Sequence, residues 1–364
     1  GFAHSASGLQ IDARRAAQRL LEQCDADGSG LVSRAESERV LLPLPFEQVD
    51  ADGDGGVGIG ELQSVLNRVA DELPNLAIPE MNSVGAMELP VAVSEGVCDF
   101  ISAMDTPRIA EWNMWYHVLN CGFPLKAAGE TDFPCMSGMA VGQGRSYVQL
   151  GQRPLDYAGW CAGLAAGRSY VSDGYMHVLQ MQVVAGEQRA SVGERVMLSD
   201  GGRVRVQATV AAAAEMPESI AYASRGMQDQ PRWLGDTVTL HGERSRKWIA
   251  GGERRVELVV NGRVAGQRVI PADGEEHELE FEVSVDRSSW LAIRSFPQLH
   301  TNPVQVLAGG RPIRASAESA RWCQAVIRQL WLVREGNIAE GERAAARECF
   351  ERAIAEYGRR AGES

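Results

Sequence analysis

Two stretches of twelve residues, Asp25-Ala-Asp-Gly-Ser-Gly-Leu-Val-Ser-Arg-Ala-Glu36 and Asp50-Ala-Asp-Gly-Asp-Gly-Gly-Val-Gly-Ile-Gly-Glu61, place oxygen-bearing side chains at positions 1, 3, 5 and 12. A hard divalent cation takes about six to eight oxygens, and this spacing lets one short loop converge them on a single point. Asp25, Asp27 and Ser29 serve the first loop, and Asp50, Asp52 and Asp54 the second. Leu31 and Gly56, at position 7, offer backbone carbonyls, and Glu36 and Glu61, at position 12, close each site with a carboxylate that can bind through both oxygens. Gly30 and Gly55 stand at position 6, where the chain must turn sharply. Ser33 and Gly58 at position 9 leave a water to complete the shell, and Ser29 gives the first loop one charge fewer, so the first site is expected to be the weaker.

Such loops are the calcium loops of EF-hands. Runs rich in Asp and Gly are commonly solvated turns, but the same ligand order twice in tandem argues for calcium at two sites. The flanks agree. Ile11, Ala16, Ala17, Leu20 and Leu21 have helical spacing ahead of the first loop, and Leu62, Val65, Leu66 and Val69 have it after the second. Pro43 and Pro45 break any long helix between the loops, so residues 9–74 read as a tightly connected EF-hand pair inserted into a larger fold.

A second set of chemically useful residues stands at expected strand ends: His4, Glu80, Asp105, and Glu130 with Asp132. His and carboxylates converging there can hold zinc, manganese or iron, and such a metal activates water. The alternative reading is local: Asp105-Thr-Pro is a good helix N-cap and Asp132-Phe-Pro a good turn.

The positions of these residues depend on the elements around them. Leu76-Ala-Ile-Pro79, Val84–Val93, Val97–Met104 and Pro124–Gly129 read as extended, with a helix from Pro107 to Leu119. Strand, helix, strand in this rhythm implies parallel pairing. A helix from Tyr157 to Ala166 and a strand after Gly167 follow. From about His177 to Leu307 the apolar residues alternate, as in Val204–Val210, Arg255–Asn261 and Glu278–Val285, with Asn261-Gly262 as a hairpin turn, which predicts an antiparallel β-sandwich. Ser316–Tyr357 is helical, with Trp322, Val326, Leu330, Cys349, Phe350 and Ile354 on apolar faces expected to be core.

The 364 residues, 45% of them apolar, suffice for two or three domains. The net charge of −12 argues against nucleic acid or an anionic membrane as partner, although the two loops hold seven carboxylates of that charge. No apolar run is long enough to span a bilayer, and no signal peptide is present. The opening Gly1-Phe-Ala-His4 reads as a strand end, so the expectation is a piece of a longer chain with any signal peptide upstream. Seven dispersed cysteines without a CxxC pair read as buried thiols rather than a disulfide framework. Structural calcium sites favour a location outside the cytoplasm, periplasmic or secreted.

Phe2-Ala-His4, Gly85-Ala-Met-Glu88, Trp112–Leu119 with Asn120-Cys-Gly122, Gly129-Glu-Thr-Asp132, Gly167-Arg168 with Ser172-Asp173-Gly174, and His300-Thr-Asn-Pro303 with Gly310-Arg-Pro-Ile313 stand in an order that resembles CehA/McbA-type metallohydrolases. These are relatives of the polymerase-and-histidinol-phosphatase (PHP) superfamily. The resemblance implies an irregular α/β barrel binding divalent metals that activate water against an ester or phosphoester. His4 would match the family's later metal-binding His, Asp132 the Asp of its terminal Gly-Ser-Asp-x-His motif, and Glu130 would orient water or a ligand. Two features depart from it: the early HxH is absent from these residues, and the terminal motif lacks its final His, Asp132 being followed by Phe-Pro.

The expected architecture is therefore α/β: a partial PHP-type barrel from 1–8 and 75–174, the EF-hand pair at 9–74, a β-sandwich at 175–314 and C-terminal helices at 315–364. The expected function is a calcium-binding, metal-dependent hydrolase acting on a small-molecule substrate, with calcium as a structural cofactor. The alternative is a calcium-stabilised extracellular binding protein whose sandwich recognises carbohydrate or protein, with Trp233, Trp248 and Trp290 available for stacking. A calcium sensor is disfavoured by the short, proline-broken linker. Nothing in the sequence speaks to oligomeric state.

Overall fold

Asp12 starts helix α1 (Ala13–Cys24) by accepting the backbone N–H groups of Arg14 and Arg15 at 3.0 and 3.1 Å, which satisfies two of the donors a helix start leaves open. A computed structural model describes this helix and the rest of residues 12–69, 72–81, 87–104, 108–131, 142, 144–217, 248–250 and 252–364. Strand β1 (Val32–Ser33) leads into the single turn α2 (Arg34–Ser37), and the turn α3 (Phe46–Val49) into β2 (Gly56–Val57) and helix α4 (Ile59–Val69). Strands β1 and β2 pair antiparallel, Val32 opposite Val57, so the two acidic loops lie side by side.

The chain then runs without regular structure through Leu76–Pro79, where a strand is expected. The backbone polar groups there are taken by side chains instead of a neighbouring strand: Ala77 N–H donates to Asn75 Oδ1 at 3.1 Å, and Trp322 Nε1 donates to the Ala77 carbonyl at 3.0 Å. In the segment expected to be extended, Val84–Val93, residues 89–93 are helical instead: α5 spans Leu89–Ser94, with Pro90 in its first turn, where a missing N–H costs nothing. Its valines read as strand, but Leu89, Val91 and Val93 are buried in that short helix.

Strand β3 (Phe100–Ala103), helix α6 (Arg108–Asn120) and β4 (Lys126–Gly129) follow, and β3 and β4 pair in parallel as the sequence rhythm implies. All thirteen residues of α6 are buried, so this helix runs through the interior rather than along a surface. Its polar residues bond inside the fold, as with Asn113 Oδ1, which accepts the Asn75 N–H at 2.8 Å. Among the described residues parallel pairing is limited to β3–β4 and to Arg195–Leu198 with Val304–Ala308, and no parallel barrel closes.

After β5 (Arg145–Val148), α7 (Tyr157–Ala165) and β6 (Ser169–Ser172) come β7 (Met176–Ala185), β8 (Gln188–Ser191), β9 (Arg195–Leu198), β10 (Gly202–Ala212) and the short pair β11 (Glu215–Pro217) and β12 (Trp248–Ala250). Next are β13 (Glu253–Val260), β14 (Arg263–Pro271), β15 (Glu276–Val285), β16 (Ser289–Ser295), β17 (Leu299–Thr301) and β18 (Val304–Ala308). One sheet has the order β15-β10-β7-β8, and a larger one the order β14-β13-β16-β17-β6-β5 with β18 and β9 joined at β16. Both contribute to one apolar cluster, with Met181, Val206 and Phe281 from the first and Leu258, Ile293 and Val306 from the second. Antiparallel pairing dominates, and the Asn261-Gly262 turn has the positive φ angles, 51° and 88°, that a tight hairpin needs. Because β6 pairs with β17, the boundary expected at 174/175 passes through a continuous sheet.

The tail forms α8 (Ala317–Arg334) and α9 (Glu340–Gly362), separated by a 3₁₀ turn at Glu335–Asn337 instead of one continuous helix. A second apolar cluster joins Ala17, Leu62 and Leu66 to Trp112, Trp115 and Tyr116 of α6 and to Trp322, Val326 and Tyr357 of the tail. The segment carrying the acidic loops is therefore packed into the main core. The whole is a mixed α/β fold of several mostly antiparallel sheets with C-terminal helices.

Candidate metal centres

Helix α1 ends at Asp25, whose N–H donates to the Leu21 carbonyl, so position 1 of the first loop is fixed by the helix end. From there the Asp25 carboxylate accepts the N–H groups of Ser29 at 2.9 Å and Gly30 at 2.8 Å, which winds the loop around it. Gly28 and Gly30 have φ of 73° and 81° with open space where a Cβ would lie, so backbone conformation rather than crowding calls for glycine. The Ser29 hydroxyl lies 3.1 Å from the Leu31 carbonyl and 3.4 Å from the Asp25 carboxylate, bringing three expected donors together.

Glu36, only 7% exposed, reaches back across the loop: Oε1 accepts the Ala26 N–H at 2.7 Å, and Oε2 accepts the Ser33 N–H at 2.9 Å and the Ser33 hydroxyl at 2.7 Å. The second loop repeats this, with Glu61 Oε1 accepting from Ala51 N–H at 2.7 Å and Oε2 from Gly58 N–H at 2.9 Å. In both loops the position-12 carboxylate is held by the amides of positions 2 and 9. Asp50 likewise accepts from Gly53 and Gly55, at 2.9 and 3.1 Å.

One carboxylate oxygen from each of Asp25, Asp27 and Glu36 falls within 4.8 Å of the others, and the same holds for Asp50, Asp52 and Asp54. Hydrogen-bond donors favour the ionised forms of Asp25 and Glu36. The hydrogen bond from Gly30 leads in lowering the Asp25 pKa, and the Ser33 hydroxyl, followed by the Ser33 and Ala26 amides, brings Glu36 down to about 2. Donors that are all oxygen suit a hard cation rather than a thiophilic one. Each cluster can hold one metal ion.

Ser33 and Glu36 form a capping box, with Ser33 also starting α2, and Ser-x-x-Glu is the sequence signature that carries this contact. Position 9 of the first loop thus anchors the closing glutamate besides leaving room for water. The Gly56 N–H is engaged with Asp54 at 2.8 Å.

His4, Asp132 and Asp105 lie outside the described residues, so the strand-end set is represented by Glu80 and Glu130 alone. Glu80 accepts from Arg19 Nη1 at 3.1 and 3.2 Å and ties the loop after α4 to α1. Glu130 is exposed, follows β4, donates its N–H to the Ala103 carbonyl at 2.9 Å and accepts the Ser102 hydroxyl. No described histidine belongs to either acidic cluster. His300 and His117 are wholly buried: Tyr116 Oη lies 2.6 Å from His300 Nε2, and Ser319 Oγ lies 2.9 Å from His117 Nδ1. Burial lowers their pKa values, to about 3 and about 4. Trp290, weighed as a stacking residue, is 1% exposed and donates Nε1 to Asn120 Oδ1 at 2.8 Å, so it is core. The six described cysteines are free thiols.

No protein-family model matches the chain, and no match is found among curated proteins.

Proposed function

We propose that residues 13–69 form a pair of EF-hand calcium sites whose role is to hold the fold together. The observation that carries this reading is the repeated closure of both loops, in which the position-12 glutamate is bound by the amides of positions 2 and 9, with two aspartates gathered beside it in the first loop and three aspartates gathered together in the second. A capping box explains the position-9 contact of the first loop, but the closing carboxylate also takes the position-2 amide across the loop, in both loops. A structural rather than a sensing role is supported by the apolar face of α4, where Leu62, Val65, Leu66 and Val69 are at most 5% exposed and belong to the main core. A sensor needs a groove that opens on binding, and this face is already filled. Calorimetric titration with calcium after dialysis against chelator is expected to give two binding events per chain; a flat titration would remove the proposal. A structural calcium module suits a calcium-rich compartment outside the cytoplasm.

A second reading, a metal-dependent hydrolase of esters or phosphoesters related to the PHP superfamily, is favoured by one observation. The parallel pairing of β3 and β4 brings Ser102 and Glu130 to the carboxyl ends of neighbouring strands, where α/β folds gather their chemistry. In this reading His4 and Asp132 ligate zinc, manganese or iron, and Glu130 orients water on a small-molecule substrate. Metal analysis tests it: a transition metal beyond calcium, lost in His4→Ala and Asp132→Asn, is the expected result, and calcium alone removes the reading for this chain.

A further inference from the structure

Between α1 and α8 lies a groove of about 590 Å³, whose lining reaches Gln23 and Glu38 on either side of the first acidic loop. One wall comes from α1 and residues 38–43, the other from α8, and the floor from Leu66 and residues 76–78. Leu20, Leu41, Leu76 and Ile78 line it half-buried, and Leu332 stands 63% exposed at its edge. Apolar surface of this kind, left open beside a filled core, is what small-molecule sites are made of, and the volume falls in their range of roughly 300–1,000 Å³.

The charge of the groove runs against that of the chain. On a protein of net charge −12, four arginines line it, at 19, 39, 321 and 328, against the single carboxylate of Glu38. Arg19 is paired with Glu80. Arg39, Arg321 and Arg328 are exposed, and their side chains make no hydrogen bond or ion pair among the described residues. Arg321 and Arg328 are seven residues apart on α8, two turns along one face, and Leu332 lies one further turn along the same face.

The geometry points to a binding site for an anionic amphiphile with a single acyl chain and a carboxylate head, the chain against Leu20, Leu41, Leu76 and Ile78 and the head at Arg321 and Arg328. An acyl chain fits within the groove's volume, and its anionic head matches the surplus of arginines around it. The inference stands on the groove alone and is independent of calcium at the acidic loops.

Calorimetric titration of the full chain with dodecanoate, below its micellar concentration, tests the site, with dodecyltrimethylammonium as the same chain bearing the opposite head. One dodecanoate per chain and at least tenfold weaker binding of the cation are expected. Each guanidinium removed should weaken dodecanoate about fivefold, so the double variant Arg321→Gln/Arg328→Gln should raise its Kd some 25-fold at an unchanged melting temperature. Leu332→Glu, which sets a carboxylate at the mouth, should weaken it as well. Equal binding of the two amphiphiles, an unchanged Kd in the double variant, or no saturable binding would each overturn the proposal.

Discussion

Replacing Glu61 by Gln isolates what calcium contributes to the fold. Both Glu61 oxygens accept a backbone N–H, from Ala51 and from Gly58. Glutamine offers one oxygen, turns an NH₂ towards the other amide, and removes the carboxylate that would bind calcium through both oxygens. Changes to groups outside the first coordination shell weaken metal binding by about 10–100-fold, so loss of the closing carboxylate should reach at least about 100-fold. At free calcium 100 times the Kd of the intact site, binding adds about 2.7 kcal/mol of stability. With a Kd raised 100-fold the same calcium adds about 0.4 kcal/mol, a loss of about 2.3 kcal/mol. Because α4 shares the main core with α6 and α8, that loss should be read by the whole domain and not only by the loop. Denaturant unfolding of both proteins, in calcium and in chelator, measures it. The calcium-dependent difference should be near 2 kcal/mol, with the two proteins much closer in chelator. A variant as stable as the parent in calcium, or one equally weakened with and without calcium, would refute the reasoning.

Asp173 is 4% exposed, and burial, only partly offset by the Tyr175 amide, Gln298 and the nearby Arg108 and Arg145, raises its pKa from 3.8 to about 6. A raised carboxylate pKa destabilises the fold as pH rises, so about 3 kcal/mol is lost between pH 4 and somewhat above 6. Asp173→Asn should abolish this slope because the amide does not titrate, and a flipped Gln298 can present its unpartnered Oε1 to the new amide; matched unfolding curves across that range check it. Tyr116→Phe leaves His300 Nε2 and Arg294 Nη1, both wholly buried, without the hydroxyl they share at 2.6 and 3.1 Å, and should destabilise by roughly 1–3 kcal/mol in chemical denaturation. Gly262→Ala places a methyl 3.0 Å from Pro74 and Tyr116 at φ 88°, and a loss of about 1–2 kcal/mol in the same assay is expected.

The features legible in the sequence are those set by neighbouring residues. The two loops announce themselves by ligand spacing, α1 and α4 by apolar periodicity, and the hairpin at Asn261 by the need for positive φ. The parallel pair β3–β4 follows from the helix between them. What was misread depended on distant partners. Leu76–Pro79 looks like a strand until Trp322 and Asn75 take its backbone groups, and the valines of α5 look extended until Pro90 and the packing of α5 fix a turn. The pairing of β6 with β17 joins residues more than a hundred apart, which no local pattern encodes. The arginine-lined groove is assembled from five separate segments, which no local pattern joins.

A crystal structure grown in calcium tests the central claim most directly. The account predicts one strongly scattering ion in each loop, with oxygens of Asp25, Asp27, Ser29, Leu31 and Glu36 around the first and of Asp50, Asp52, Asp54, Gly56 and Glu61 around the second, at about 2.3–2.6 Å. Loops that keep their present hydrogen bonds with no ion at either centre, at millimolar calcium, would contradict it.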